Sequence, residues 1–324
     1  MLPQTTGIEA TVIIPTFGRA DFVIWALKSA QQQTIADIEI FVIGDGASPV
    51  TREIIERAAN KDPRIYFFDN PKGEGIGELH RHQAILQSKG KIICYLGHDD
   101  LWFPEHVKNM LLLLNDADFG QSIHTWITCE GTIRGFLPTI SDSLCRYRML
   151  KHPWNRFGPT CSAHTRDIYF DLPYGWRLAP LDVWPDLYMW RQFIAHPGCR
   201  FASLYKTTTI KFPRSVRQEY SVEQYEAELA KWFTRLSLSD EAQRLSIAAI
   251  QSDAGGLQRE IIHMAIEYLR KLPINQAARS LALSLFYTVL YVFPDKFLSG
   301  KLSAFKDRII EQVIARSGFF NKQF

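Results

Sequence analysis

The sequence predicts an α/β protein with a mostly parallel sheet covered by helices on both faces. Short β-branched runs alternate with helical periodicity over residues 10–100, which is typical of repeated strand–helix units. Several of these runs end in glycine-containing polar segments, as strands do where they meet a loop. With 324 residues, of which 46% are apolar and 22% charged, the chain can also bury a sizeable core.

The elements follow in a regular order through the first third of the chain. Strands are expected at 10–15, 38–43, 64–68 and 91–96, and helices at 21–32, 52–60 and 79–88. A helix at 104–115 and strand-like pieces near 122–128 and 131–136 come next. The order indicates a mixed sheet whose first four strands are parallel.

The remaining two thirds divide by composition. Residues 150–215 are rich in Trp, Tyr, Pro and Arg with weak periodicity, and we interpret them as a cap whose loops carry specificity. From Ser221 onward the pattern is helical. We therefore expect one domain over 1–215, with halves at 10–102 and 103–215, and a helical region over 216–324.

Net charge, cysteine content and hydropathy limit the partners and the cellular compartment that we expect. A net charge of +3 does not imply a nucleic-acid partner, and the five cysteines show no CxxC pair or disulfide-like spacing. The N-terminus lacks the basic start and apolar stretch of a signal peptide. The most apolar run, 281–293, has 13 residues, against the roughly 20 of a spanning helix. These features predict a cytoplasmic protein.

Polar groups at strand ends predict a nucleotide site, because ligands of open α/β sheets bind at the carboxyl edge. Asp45 lies between Gly44 and Gly46 after the second strand, where a carboxylate can accept from a nucleoside donor group. The alternative is a tight turn followed by a helix that Ser48 caps.

Asp99 and Asp100 follow the fourth strand. Adjacent carboxylates repel each other unless a cation separates them, and Mg²⁺ or Mn²⁺ prefers such oxygen ligands beside substrate phosphates. Alternatively, one of them caps the next helix. His98 is either a metal or phosphate contact or a packed side chain.

The Gly73–Gly77 turn brings a rival hypothesis, a dinucleotide fingerprint. Its sixth position is Glu78 rather than glycine, which would place a carboxylate near a pyrophosphate. Two strand–helix pairs also precede it, so we reject the nicotinamide interpretation.

Together these segments resemble the family 2 inverting glycosyltransferases, which have the GT-A fold. The resemblance covers residues 10–102 well and 155–215 loosely. It rests on Val-Ile-Ile-Pro-Thr-Phe-Gly-Arg (12–19), Gly-Asp-Gly-Ala-Ser (44–48), Asn-Pro-Lys-Gly (70–73) with Arg-His-Gln-Ala-Ile (81–85), and Gly-His-Asp-Asp (97–100). The nucleotide-sugar contacts that it implies are Pro15, Thr16, Phe17, Arg19, Asp45, Lys72, Gly73, Arg81, His98 and Asp99.

The resemblance also implies a Mn²⁺ or Mg²⁺ cofactor held by Asp99, with Asp100 or His98 as further candidate ligands. Two positions depart from the family pattern. Gly97 stands where the family has the first aspartate of Asp-x-Asp-Asp, and His82 stands where asparagine is usual. These departures leave open a degenerate protein that binds a nucleotide sugar or a glycan without transferring it.

The catalytic base that the resemblance implies is Asp186, with Asp182 in reserve. Aligning Trp190-Arg191 with the family's Leu-Trp-x-Arg tail places Asp186 on the acidic pair. The alternative is that Asp186 caps a helix. Lys72 and Arg81 either assist the diphosphate or are solvated charges.

The predicted activity is transfer of a sugar from a nucleoside-diphosphate donor, UDP-linked as in the family, to a hydroxyl of a glycan, polysaccharide or lipid-linked precursor of the cell envelope. The region beyond 281 mixes Lys and Arg with large apolar residues. It fits either an amphipathic helix on the inner membrane face or a helical domain that packs or forms a homo-oligomer.

Overall fold

The fold is built around a seven-stranded sheet. The computed structural model describes residues 7–253, and the following elements belong to that range. The strands are β1 (Ala10–Gly18), β2 (Ile38–Ala47), β3 (Ile65–Asn70), β4 (Ile92–Tyr95), β5 (Leu101–Trp102), β6 (Phe119–Ser122), β7 (His124–Ile127), β8 (Ile133–Phe136), β9 (Ser162–Thr165), β10 (Phe201–Leu204) and β11 (Thr209–Ile210).

Helices follow most strands of the first half and dominate the end of the described range. They are α1 (Val23–Gln31), α2 (Pro49–Ala59), α3 (Glu78–Ile85), α4 (His106–Leu113), α5 (Ser143–Lys151), α6 (Arg166–Phe170), α7 (Pro185–Ala195), α8 (Val222–Arg235) and α9 (Glu241–Asp253).

The sheet has the order β10-β6-β9-β4-β1-β2-β3. Strands β3, β2, β1 and β4 pair in parallel, β9 is antiparallel to both β4 and β6, and β10 is parallel to β6. Two short pairs, β5 with β11 and β7 with β8, stand apart from it. The predicted α/β class, with a mostly parallel mixed sheet flanked by helices, is confirmed.

The register brings the polar strand ends to one edge. Thr16 of β1 is opposite Gly44 of β2, and Asp45 is opposite Asn70 of β3. Strand β4 pairs with β1 as far as Tyr95, so the segment that follows it leaves the sheet at the same edge. Parallel strands thus deliver three loops to one place.

The core explains why β1 and β2 are nearly continuous apolar runs. Val12 and Ile14 of β1 and Val42 of β2 are fully buried in one cluster with Leu27 of α1. Helix α8 belongs to a second cluster, in which Phe22 contacts Tyr225 with ring centroids 4.8 Å apart. A strand covered on both faces must be apolar on both.

Contacts divide the chain into two compact units. The first contains residues up to Ser141 and Pro153–Ser252, and the second contains Asp142–His152 with Asp253 and the residues after it. The first unit extends beyond the predicted boundary at residue 215. The helical region expected up to residue 324 lies mostly outside the described residues, as does the apolar run at 281–293, so the domain division stays a prediction.

Within residues 7–253, no helix combines the length and the apolar character that crossing a membrane requires.

Candidate active site

The turn after β2 separates a capping serine from a buried aspartate. The Ser48 hydroxyl accepts a hydrogen bond from the Thr51 backbone N–H at 3.2 Å and caps α2, as the turn hypothesis expected. Gly46 has φ of +72°, and a Cβ there would lie 2.9 Å from the Lys72 side chain. Glycine is therefore needed for both its conformation and the close approach of the next loop.

Asp45 is buried with only 4% of its surface exposed, and its carboxylate is already engaged. One oxygen accepts from the Lys72 ammonium at 2.7 Å and the other from the Gly73 backbone N–H, also at 2.7 Å. The Lys72 ammonium donates further to the carbonyl oxygens of Gly73 and Gly75, at 2.9 and 2.8 Å. Three residues of the predicted nucleotide site thus form one cluster.

Arg81 of α3 is hydrogen-bonded to the glycine-rich loop, Gly73–Gly77. Its guanidinium donates to the carbonyl oxygens of Ile76 at 3.0 Å and Gly77 at 3.4 Å, and it lies over the Trp176 ring at 4.3 Å. Burial lowers the pKa of Arg81, while the carboxylates of Glu78 and Asp186 oppose this effect. The predicted diphosphate contact is therefore a buried cation that is bonded to the backbone.

A second group of predicted site residues lies where the end of β1 meets the loop after β4. His98 is 94% removed from solvent, and its Nδ1 lies 3.0 Å from the Pro15 carbonyl oxygen. Its ring contacts the half-exposed Phe17 at 5.4 Å between centroids. The Thr16 hydroxyl is buried, with no hydrogen-bond partner among residues 7–253. Arg19, another predicted contact, is exposed and pairs with Asp21 at 3.0 Å.

The loop after β4 holds its two carboxylates in different ways. Asp100 is buried and accepts hydrogen bonds from the Thr160 hydroxyl and, at 3.1 Å, from the Phe212 backbone N–H. Asp99 is half-buried and accepts no hydrogen bond from the residues in the described range. The capping residue of α4 is Glu105, so neither aspartate caps that helix and this alternative is wrong.

Gly97 gives the two carboxylates their room. A Cβ at this position would lie 2.7 Å from Asp100 Oδ2 and 2.9 Å from Asp99 Oδ1, so a side chain there would require both carboxylates to move. The Gly97 backbone N–H also donates to Thr160 at 3.1 Å. The departure from the family pattern is thus built into the packing of this loop.

Asp186 lies in the first turn of α7. Its carboxylate accepts from the Leu187 backbone N–H at 2.8 Å and from the Asn155 side-chain amide at 3.2 Å. The capping position is Trp184, so Asp186 is not the helix cap. Burial raises the pKa of Asp186, although the Leu187 N–H and the Lys211 ammonium favour its charged form. A carboxylate with a raised pKa is suited to accept a proton.

Lys211, which follows β11, is the residue that sequence reasoning missed. Its ammonium lies 3.8 Å from Asp100 Oδ2. The Asp100 carboxylate raises the pKa of Lys211 to about 12 against the opposing effect of burial, and Asp99 and Asp186 contribute in the same direction. The residue falls in a region of weak periodicity, and nothing in the local sequence marks it as part of the site.

The side chains at this edge of the sheet provide few ligands for a metal ion. Among residues 7–253, no three His, Cys, Asp or Glu side chains are grouped so that they could hold a metal ion. Asp100 is engaged as described, and His98 Nδ1 is directed at a carbonyl oxygen, but His98 Nε2 is buried with no hydrogen-bond partner among residues 7–253. Asp99 and His98 Nε2 are thus left for a cation, and Mg²⁺ is commonly held by one or two carboxylates together with substrate phosphates. The residues therefore fit a cation only if a bound diphosphate completes its ligands.

The structure brings most of the predicted site residues to one edge of the sheet. Asp45, Lys72 and Gly73 form one cluster. Asp186 interacts electrostatically with Arg81, and Asp99, Asp100 and Asp186 all interact electrostatically with Lys211. Asp182, the reserve base, is exposed and interacts with Arg191 instead.

Comparison with known proteins gives a family. A family model described as glycosyl transferase family 2 matches residues 11–171. An uncharacterized glycosyltransferase of Rickettsia typhi is 32% identical over 118 residues, 36% of this chain and 36% of that protein. The segment that matches this chain covers 36% of that protein and 16% to 32% of four other Rickettsia glycosyltransferases, so the chain spans well under half the length of these relatives.

A longer match is with the GalNAc(5)-diNAcBac-PP-undecaprenol beta-1,3-glucosyltransferase of Campylobacter jejuni. It is 23% identical over 229 residues, 69% of this chain and 73% of that protein. Among solved structures, S. aureus TarS 1-349 in complex with UDP-GlcNAc superposes with a TM-score of 0.52 at 15% identity, covering 82% of each chain. At that identity the likeness concerns the fold, and the expected GT-A type is confirmed.

Proposed function

Because the chain belongs to glycosyl transferase family 2, we propose that it transfers a sugar, with inversion, from a nucleoside-diphosphate donor to an acceptor hydroxyl. The observation that carries this proposal is the convergence of Asp45, Asp99 and Asp186 at the carboxyl edge of the sheet. Asp186 combines a half-buried carboxylate with a raised pKa, as a general base requires.

The reaction exchanges one C–O bond for another. The acceptor oxygen attacks the anomeric carbon and forms the new bond, while the bond from that carbon to the diphosphate oxygen breaks and the electron pair leaves with the diphosphate. The acceptor proton passes to the Asp186 carboxylate. Because attack comes from the face opposite the leaving group, the configuration at the anomeric carbon inverts.

The donor site is divided between two clusters. Asp45 is proposed to face the nucleoside, with the Lys72 ammonium bonded to its carboxylate. Phe17 offers a half-exposed ring beside His98, and the unpartnered Thr16 hydroxyl offers a polar contact. Asp99 would hold a Mg²⁺ or Mn²⁺ ion together with the phosphates, and such an ion supplies positive charge to the leaving diphosphate.

The acceptor side is formed by the segment before α7. Trp184 and Tyr174 are 54% and 48% exposed, whereas Trp176 and Trp190 are buried in the core. Exposed aromatic faces next to a carboxylate suit a sugar acceptor, because the ring packs on the apolar face of a pyranose. We therefore assign acceptor binding to Trp184, whose neighbour Asp186 is the proposed base.

The names of the relatives suggest the substrates. The Campylobacter jejuni relative is named for an acceptor linked to PP-undecaprenol, and S. aureus TarS binds UDP-GlcNAc. We propose a UDP-hexose or UDP-N-acetylhexosamine donor and a glycan or lipid-linked acceptor. Contact with the inner membrane face through the C-terminal region belongs to the same proposal.

A second candidate is a protein that binds the nucleotide sugar without transferring it. Gly97 favours this candidate, because the position lacks a carboxylate and a side chain there would require the Asp99 and Asp100 carboxylates to move.

A donor panel separates the two candidates. The full chain is incubated with UDP-, GDP- and dTDP-sugars and with a panel of glycan and lipid-linked saccharide acceptors, with and without Mn²⁺, and released nucleoside diphosphate and glycoside product are measured. The transferase releases the diphosphate from at least one donor, and NMR of the product shows the anomeric configuration opposite to that of the donor. Thermal stabilisation by a donor without any release would identify the binding protein.

A further inference from the structure

We propose that Lys211 is a resident cation that binds the donor diphosphate, so that nucleotide binding persists without a divalent metal. This inference rests on the proposed function. Because Gly97 provides no carboxylate to help hold a metal ion, we assign the positive charge beside the diphosphate to Lys211. This residue lies on β11's carboxyl side, outside the segments that resemble the family's nucleotide site.

The three cations of the site differ in how many of their N–H groups already donate a hydrogen bond to the protein. The Lys72 ammonium uses its three N–H groups on Asp45 and two carbonyl oxygens. The Arg81 guanidinium is bonded to backbone carbonyls and covered by Trp176. Lys211 has no hydrogen bond from its ammonium to any residue of the 7–253 range, since its nearest carboxylate oxygen is 3.8 Å away. Of these three, Lys211 is the one whose N–H donors all lack a partner among residues 7–253, whereas Arg81 has committed part of its donors and Lys72 all of them.

Lys211 is also held in place and reachable. Its backbone N–H donates to the Thr125 carbonyl oxygen at 2.8 Å, and its own carbonyl accepts from Ile127 at 3.0 Å. Asp100, pinned by Thr160 and Phe212, holds the ammonium electrostatically. The side chain is still 32% exposed. Lys211 is therefore preorganised, which reduces the entropy that binding a phosphate would cost.

Gly158 leaves the ammonium uncovered on one side. A Cβ on Gly158 would lie 3.5 Å from Lys211 Nζ, so any longer side chain at this position would compete with a ligand for the ammonium. The carboxylates of Asp99, Asp100 and Asp186 repel an approaching diphosphate, and the Lys211 ammonium beside them offsets that repulsion.

The test measures binding of UDP and of inorganic pyrophosphate by calorimetry, in EDTA and in Mn²⁺. Pyrophosphate carries the two phosphates with no base, so its binding does not depend on the donor nucleoside. In EDTA we expect the wild type to bind and Lys211→Met to bind at least about tenfold more weakly, which corresponds to about 1.4 kcal/mol. Lys211→Arg keeps the charge and retains most of the affinity. In Mn²⁺ the loss in Lys211→Met is smaller.

Lys206→Met is the matched control, because Lys206 forms an exposed pair with Glu105 at 3.4 Å and its loss should not affect binding. Thermal melts verify that each variant is folded. If Lys211→Met unfolds, Lys211→Met with Asp100→Asn is compared with Asp100→Asn alone, because the double variant leaves no unpaired carboxylate at the buried Asp100 position.

The proposal is overturned if the wild type binds neither ligand in EDTA, or if folded Lys211→Met binds as the wild type does. The proposed function fails in a different way: the ligands bind in a Lys211-dependent manner, but no sugar is released or transferred from any donor.

Discussion

At the scale of single residues, the site contains charges that its sequence motifs show only in part. Asp45 and Asp99 follow strands that are recognisable from their apolar runs, so their place at the carboxyl edge could be predicted. Lys211 could not be, because it reaches the site through the pairing of β11 with β5, two strands of two residues each. Such short strands carry no periodicity.

The pH dependence of transfer should report Asp186. A base works in its ionised form, and burial raises the pKa of this carboxyl. Transfer is therefore lost as the pH falls through a pKa above the ordinary aspartate value of about 3.9. The measurement is kcat at saturating donor from about pH 4 to about pH 8. A rate that stays constant down to about pH 4 would exclude Asp186 as the base.

Restoring the family's usual residue should harm this protein. In Gly97→Asp the new Cβ would lie 2.7 Å from Asp100 Oδ2, and Asp100 is fixed by Thr160 and Phe212. We expect a loss of about 1–3 kcal/mol of unfolding free energy from overpacking, with like-charge repulsion in addition. Urea denaturation measures this loss. A variant with wild-type stability and tighter Mn²⁺-dependent UDP binding would show that the loop can accommodate a third carboxylate.

At the scale of elements, the strands buried on both faces were predictable, as were β7 and β8 in the acceptor-side half, whereas β9 was not. Strands β1 and β2 are long apolar runs, whereas β9 is Ser-Ala-His-Thr. Strand β9 exists because it pairs with β4 on one side and β6 on the other. Its position comes from the sheet around it and not from its own propensity.

One ion pair ties three early elements together. Between α2 and β3, Asp62 accepts from Arg64 through both oxygens, at 3.0 and 2.8 Å, and from Gln31 at the end of α1 at 2.9 Å. The hydrogen bond from Arg64 lowers the pKa of Asp62. The ion pair therefore stabilises the folded state fully at a pH above the ordinary carboxyl pKa. This stabilisation is lost as the pH falls through the lower pKa that Asp62 has in the folded protein.

Asp62→Asn should lower the free energy of unfolding by about 1–3 kcal/mol at neutral pH. The difference from the wild type should narrow in acid, because the wild-type carboxylate is then protonated. The control is Asp69→Asn, which breaks an exposed pair with Arg52 and should cost less than about 1 kcal/mol. Equal losses in the two variants, or a difference that does not depend on pH, would refute this role of Asp62.

At the scale of the whole molecule, the sequence predicted the family and its sheet because the nucleotide half is assembled from consecutive strand–helix units. The acceptor half depends on contacts between distant segments, such as Asn155 with Asp186 and Thr160 with Asp100. A single sequence does not contain that information locally. The acceptor itself follows from the shape of this half, which differs among proteins of one fold.

The central claim is that Asp186 takes the acceptor proton, and the direct measurement is sugar transfer by Asp186→Asn. The donor is the one that the wild type uses, and UDP binding is measured alongside. Loss of a general base predicts a fall of about 10²- to 10⁴-fold in kcat with UDP binding unchanged. Asp167→Asn, another first-turn aspartate on α6, should transfer at the wild-type rate. Transfer by Asp186→Asn at the wild-type rate would contradict the account.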